Sequence, residues 1–88
     1  MTEDALRLLR AAYDINAERA EAGAFGPGAE LDLAGAAGRV NTFAGSLLWE
    51  ACVAEMEMEG VIVPSPVARH GAVPYVVTLR GVRLLGEA

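Results

Sequence analysis

Apolar and polar side chains alternate over residues 3–21 with the period of an α-helix. At about 100° per residue, the apolar side chains fall on one broad face and the charged ones on the opposite face. The apolar face consists of Leu6, Leu8, Leu9, Ala12, Tyr13 and Ile15, and the polar face of Arg7, Arg10, Asp14 and Glu18. Thr2 is placed to cap this segment at its N-terminus. The pattern predicts an amphipathic helix over residues 3–21.

A glycine-rich stretch at residues 23–28 ends this helix and predicts a loop. Asp32 then stands where an N-cap is needed, ahead of a short apolar segment that predicts a second helix. Gly38 is expected to end that helix in the left-handed conformation. A short helix followed by a turn is therefore predicted.

The next apolar segment predicts a third helix over residues 43–59, capped by Asn41 or Thr42. One face of this helix carries four apolar residues within about 100° of one another and is expected to face the core. These residues are Trp49, Cys52, Val53 and Met56. Gly60 suits the left-handed position just after the helix, with Val61 contacting Met56 in a Schellman ending.

Two valine-rich runs after Gly60 predict a β-hairpin. Pro64 and Pro66 lie two residues apart, so both lack an N–H group on the same edge of the first strand. This edge is expected to recruit no further strand. Thr78 is a suitable N-cap for a short final helix, in which Leu79, Val82 and Leu85 repeat at helical spacing.

This order of elements, with Leu-Asp-Leu-Ala-Gly-Ala-Ala at residues 31–37 and Met56-Glu57 before Gly60, resembles the winged helix-turn-helix family. It is similar to small bacterial winged-helix transcription regulators, such as the multiple-antibiotic-resistance and phenolic-acid repressor families. The resemblance implies a mainly α fold with a small β-hairpin (α+β). A three-helix core, a two-stranded wing, a short C-terminal helix and a small strand at Leu31 are expected. Residues 1–88 are expected to form a single winged-helix domain.

The charge of the chain bears on its partners. Twelve acidic residues against seven arginines give a net charge of −5, which repels nucleic acid and anionic lipid at long range. No apolar run approaches the roughly 20 residues that a membrane span needs. The N-terminus lacks the basic start of a secretory signal. These features predict a soluble cytoplasmic protein with no membrane partner.

The residues that usually carry catalysis or bind metal are few. One cysteine, Cys52, and one histidine, His70, cannot form a structural zinc site or a disulfide within the chain. Cys52 is expected in the core, and His70 at the tip of the hairpin, so they do not form a convergent set. We expect a protein without enzymatic activity, cofactor or metal.

The winged-helix resemblance implies a surface for DNA. In that family the turn and the first turns of the third helix meet the major groove, and the wing meets the backbone or the minor groove. The corresponding residues are Arg39, Asn41, Thr42, Ser46, Arg69 and His70. They provide only two arginines and one histidine, so a monomer would neutralise roughly two or three phosphates.

The third helix also carries a second apolar stripe, opposite its core-facing residues. It consists of Phe43, Leu47, Ala51, Ala54 and Met58 and is bordered by glutamates. A helix that is apolar on two faces requires two partners. One partner is the core, and the other is a separate protein surface or a second copy of this chain. In the alternative, the stripe is covered within the same chain, with Phe43 and Leu47 packed on the second helix and Met58 on the wing.

Two functions follow from these features. The favoured one is a protein-interaction or dimerisation module, which binds a second copy or another protein through the first helix and the second apolar stripe of the third helix. The alternative is a DNA-binding transcriptional regulator that acts as a homodimer. The acidity of the third helix favours the first, because a surface that reads DNA should be neutral or basic.

Overall fold

The computed structural model describes residues 1–21, 30–65 and 75–87. In these residues, four helices and two strands follow one another in chain order. They are α1 (Glu3–Glu21), α2 (Leu33–Arg39), α3 (Leu47–Met58), β1 (Ile62–Pro64), β2 (Tyr75–Val77) and α4 (Leu79–Glu87). The strands form a two-stranded antiparallel sheet. The prediction of a mainly helical α+β fold is confirmed.

Helix α1 has the predicted bounds and supplies the largest share of the core. Thr2 Oγ1 accepts a hydrogen bond from Ala5 N at 3.3 Å, which caps the helix as expected. Its inward face is fully buried at Ala5, Leu8, Leu9 and Ala12. Tyr13, expected on this face, is instead exposed, because it lies at the edge of the apolar arc.

Helix α2 begins at the predicted cap. The Asp32 carboxylate accepts a hydrogen bond from Gly35 N at 2.8 Å. It also forms an ion pair with Arg19 at 2.9 Å, which links α2 to α1. The predicted end at Gly38 is wrong, since the helix continues to Arg39. Asn41 takes the left-handed conformation instead, with φ 59°, and Thr42 N then donates to Ala37 O at 3.0 Å. Asparagine tolerates this conformation better than most residues, so it replaces glycine here.

Helix α3 begins four residues later than predicted, and the expected cap at Asn41 or Thr42 is wrong. Gly45 has φ 87°, which a helix cannot contain, and Ser46 is the true N-cap. Its hydroxyl oxygen accepts a hydrogen bond from Trp49 N at 3.1 Å. Phe43 therefore lies in the turn before the helix, where its carbonyl accepts from Ser46 N.

The C-terminal end of α3 matches the prediction. Gly60 has φ 72° and its N–H donates to Glu57 O at 3.1 Å, while Val61 N donates to Met56 O at 3.1 Å. These two bonds define a Schellman motif. Met56 and Val61 are both fully buried in the core cluster. The chain consequently turns from α3 directly into β1.

The sheet pairs Ile62 with Val77 and Pro64 with Tyr75. Leu31 is not part of a strand, but its N–H donates to Tyr75 O of β2 at 2.8 Å, at the place where the small strand is expected. Because Tyr75 O points toward Leu31, it points away from β1. Tyr75 and its partner Pro64 are therefore a pair that exchanges no hydrogen bonds within the sheet. Its ring nitrogen therefore faces the outer edge, where no donor is needed. Pro66 lies outside the described residues.

Helix α4 is fixed to the rest of the fold at both ends. Thr78 Oγ1 accepts from Gly81 N at 3.2 Å, which confirms the predicted cap, and donates to Gly60 O at 2.6 Å. Near the other end, Arg10 Nη2 of α1 donates to Leu85 O at 2.8 Å. Leu85 is buried, whereas Leu79 and Val82 are exposed, so only one of the three residues at helical spacing enters the core.

Candidate functional site

Helix α3 has one face in the core, as its sequence predicts. Cys52, Val53 and Met56 are buried against α1 and the sheet. Trp49 is half-buried at the edge of this face, and its indole Nε1 donates to Leu33 O of α2 at 2.9 Å. These contacts fix the rotation of α3 about its axis, and they thereby determine which residues it exposes.

The opposite face carries the second apolar stripe, and all of it is exposed. We call this set the exposed stripe; it consists of Phe43, Leu47, Ala51, Ala54 and Met58. The side chains of Phe43, Leu47 and Met58 are 70%, 88% and 89% exposed. The alternative in which Phe43 and Leu47 pack on α2 and Met58 on the hairpin is therefore wrong. Large apolar side chains this exposed on one side of a helix are typical of an interaction surface.

The exposed stripe has a definite shape. Its four helical residues lie within about 60° of one another, and Leu47 and Met58 are separated by a rise of about 16 Å. The two large side chains stand at the ends and Ala51 and Ala54 lie between them, which forms a shallow saddle. Leu48 is half-exposed beside Leu47 and widens the apolar surface. Sequence reasoning missed Leu48, because it lies about 100° from Leu47 at the border between the two faces.

Glutamates border the exposed stripe on both sides, and most of them bind the chain itself. Glu55 accepts hydrogen bonds from Thr2 N at 2.6 Å and Thr2 Oγ1 at 3.1 Å. Glu57 accepts from Tyr75 Oη at 3.0 Å, and Glu59 faces Arg80 at 3.6 Å. These contacts link α3 to the start of α1, to β2 and to α4.

Glu50 differs from the other three glutamates. Its side chain is exposed, and its carboxylate has no hydrogen bond or ion pair with any residue in the described ranges. Glu50 lies one helical turn from Leu47 and Ala54, on the same side of the exposed stripe as Glu57. It is therefore the carboxylate most available to a partner at this surface.

The Tyr75 hydroxyl beside Glu57 is sensitive to pH. Burial, and then the hydrogen bond to Glu57 and the charge of that carboxylate, raise the pKa of Tyr75 above its ordinary value of 10.0. Folding thus favours the protonated phenol. This contribution to stability is complete below pH 10 and is lost as the pH rises through the raised pKa.

We expect the free energy of unfolding to fall above pH 10, and we expect the fall to be shallower in Tyr75→Phe. Burial raises the pKa of the Cys52 thiol as well, so part of the decline will remain in this variant. Urea denaturation of the parent and of Tyr75→Phe at pH 7 to 11 measures the decline in each protein. An equally steep decline in Tyr75→Phe and the parent would show that Tyr75 is not the titrating group.

Four of the six residues predicted to contact DNA lie around the turn between α2 and α3. Arg39 donates two hydrogen bonds to Glu18, at 2.6 and 3.4 Å, and this carboxylate raises the pKa of the guanidinium. The hydroxyl groups of Thr42 and Ser46 are 3.0 Å apart, and Ser46 caps α3. Asn41 is exposed. Three of these four side chains are thus engaged within the fold.

The remaining two DNA-contact predictions, Arg69 and His70, lie outside the described residues. The structure thus brings together Arg39, Asn41, Thr42 and Ser46 at one turn. It places the exposed stripe beside this turn, through Phe43 and Leu47.

A second surface feature lies between α4 and the end of α3. It is a depression of about 580 Å³ that contains Arg80 and Arg83 together with Glu59 and Glu87. Its charges are of both signs, and Arg80 already faces Glu59 at 3.6 Å. It offers no chemical preference comparable to that of the exposed stripe.

No family model matches this chain, and no curated protein and no solved structure matches it either. In the described ranges, no three His, Cys, Asp or Glu side chains are grouped so as to hold a metal ion. No helix in those ranges has the length and apolar character needed to cross a membrane.

Proposed function

We propose that this chain is a non-catalytic winged-helix domain that acts as a protein-interaction module through the exposed stripe of α3. The observation that carries the proposal is the exposure of Leu47 and Met58 on the outward face of α3, together with that of Phe43 in the turn before it. Leaving three large apolar side chains in water is unfavourable, and a partner that covers them removes their apolar area from water.

The order of elements supports a winged-helix scaffold. Three helices, a two-stranded antiparallel sheet and a further helix follow one another as that fold requires. On such a scaffold, α3 corresponds in chain order to the helix that reads DNA in winged-helix regulators. In this chain the outward face of α3 is apolar and acidic, which suits a protein surface better than a phosphate backbone.

The state of the nucleophilic side chains supports a non-catalytic role. Cys52 is buried, and burial raises the pKa of its thiol, so the reactive thiolate is disfavoured. The hydroxyl of Ser46 caps α3. In the described ranges, neither side chain is paired with a general base.

DNA binding as a homodimer remains the alternative, and the exposed position of Asn41 beside Arg39 supports it. The engagement of Arg39 with Glu18 counts against it, because releasing the guanidinium to a phosphate would break that ion pair. The net charge of −5 counts against it as well.

The test is selection of binders from a displayed library of random helical peptides, followed by affinity measurements on variants. We expect Leu47→Glu to weaken the selected peptides more than tenfold, because it places a charge in the apolar contact. Leu79→Glu is the matched control, since Leu79 is also exposed but lies on α4. Both variants should keep the parent's stability within about 0.5 kcal/mol.

Three outcomes would contradict the proposal. The library could yield no binder, or Leu79→Glu could abolish binding while Leu47→Glu leaves it intact. The third is salt-dependent binding to mixed duplex DNA that Arg69→Ala weakens, which would favour the regulator instead. Anisotropy of a labelled duplex at low and moderate salt measures the third outcome.

A further inference from the structure

The charges along the exposed stripe restrict what can cover it. Helix α3 carries Glu50, Glu55 and Glu57 and is followed by Glu59, and it contains no basic residue. Glu50 and Glu57 border one side of the exposed stripe, while Glu55 and Glu59 border the other. A partner helix that packs along the exposed stripe therefore lies between glutamates of this chain on both sides.

A second copy of this helix is a poor occupant for this reason. If two copies of α3 packed antiparallel, each border would face the same border of the other copy, so that Glu50 would lie near Glu57. If they packed parallel, the border with Glu50 would face the border with Glu55. Carboxylates face carboxylates in both arrangements, and like charges across an interface oppose association.

We propose that the occupant of the exposed stripe is an amphipathic helix of another protein, with lysine or arginine on both sides of its own apolar stripe. This inference rests on the proposed function. A large apolar side chain of the partner fills the saddle over Ala51 and Ala54, between Leu47 and Met58. Its basic residues lie beside the glutamates, with Glu50 as the carboxylate that has no competing contact within the described ranges.

The helical form of the partner follows from the shape of the exposed stripe. The surface runs about 16 Å along α3, with small residues at its centre and large ones at its ends. A second helix can approach closely over small residues and pack its side chains between the larger ones at the ends. The net charge of −5 also attracts a basic partner at long range.

The test uses two synthetic helical peptides with the same stripe of leucines. Both carry the same covalent staple on the face opposite the leucines. One peptide has lysines beside the stripe and the other has glutamates. We expect the lysine peptide to bind the protein at least tenfold more tightly at low salt, and we expect added salt to reduce this preference. Fluorescence anisotropy at about 20 and 200 mM salt, chosen to vary screening, measures both affinities.

Glu50→Lys should weaken the lysine peptide several-fold and strengthen the glutamate peptide. Glu21→Lys is the matched control, because it makes the same change of net charge on α1. It should leave the ratio of the two affinities close to that of the parent. An equal effect of both variants would show that the preference comes from overall charge, and this would overturn the inference.

The remaining outcomes separate this inference from the proposed function. If both peptides bind equally and Leu47→Glu weakens both, the exposed stripe is an interaction surface but its basic preference is wrong. If sedimentation at neutral pH shows a dimer that Leu47→Glu dissociates, the occupant is a second copy and this inference fails. Binding of neither peptide also overturns it. Peptide binding that is insensitive to Leu47→Glu contradicts the proposed function itself.

Discussion

Replacing Met56 by alanine is expected to lower the free energy of unfolding by about 2–5 kcal/mol. The Met56 side chain has no solvent exposure and lies in the core cluster, to which all four helices and β1 contribute. Truncation removes buried apolar surface and leaves a cavity that rigid neighbours cannot fill. A small domain is stable by only about 5–15 kcal/mol in total, so the loss is a large fraction. Urea denaturation followed by far-UV circular dichroism measures it.

Met58 provides the matched control for this experiment. It is the same residue type two positions along α3, but it is 89% exposed. We expect Met58→Ala to change the free energy of unfolding by less than about 0.5 kcal/mol. Equal losses in the two variants would show that the exposed stripe is covered in solution. Repeating the measurement at several protein concentrations would then reveal whether a second copy covers it.

The helix ends that sequence reasoning predicted correctly are those set by local chemistry. Asp32, Gly60 and Thr78 each satisfy backbone groups within a few residues, and each is the only suitable capping residue at its position. The identity of the residue therefore determines the boundary, without reference to the rest of the fold.

The ends that it predicted wrongly are those where several capping residues compete. Asn41, Thr42 and Ser46 could each begin α3, and Gly38 and Asn41 could each end α2. The Trp49 indole, which donates to Leu33 O of α2, anchors the first turn of α3, and Ser46 is the capping residue at the correct distance before it. This selection depends on tertiary packing, which local patterns do not encode.

The exposed stripe was only partly predictable. Helical periodicity placed Leu47, Ala51, Ala54 and Met58 on one face, but the same pattern also suits a helix buried on both sides. Nor could the pattern assign the glutamates to their partners. Glu55 and Glu57 bind Thr2 and Tyr75, which lie 53 and 18 residues away in the chain. Only Glu50 keeps the role suggested by the sequence, a solvated carboxylate at the border of an apolar surface.

Replacing Gly81 by alanine is expected to destabilise the protein by about 2 kcal/mol. A Cβ atom at this position would lie 2.5 Å from Val61 O and 2.7 Å from Val77 Cγ2. The Val61 carbonyl cannot retreat easily, because it accepts a hydrogen bond from Thr78 N at 2.9 Å. We expect the steric overlap to cost about 3 kcal/mol. This exceeds the roughly 1 kcal/mol by which alanine stabilises a helix relative to glycine, and the difference is the expected net loss.

Gly86→Ala isolates the gain in helix propensity from the steric cost. Gly86 lies in the same helix, α4, and a Cβ atom there would meet nothing within 4 Å. We expect this variant to be more stable than the parent by about 0.5–1 kcal/mol, so the two substitutions should have opposite signs in the same urea titration. If both were stabilising, α4 would lie farther from Val61 than in this structure. Glycine would then not be required at position 81 for the contact between α4 and Val61.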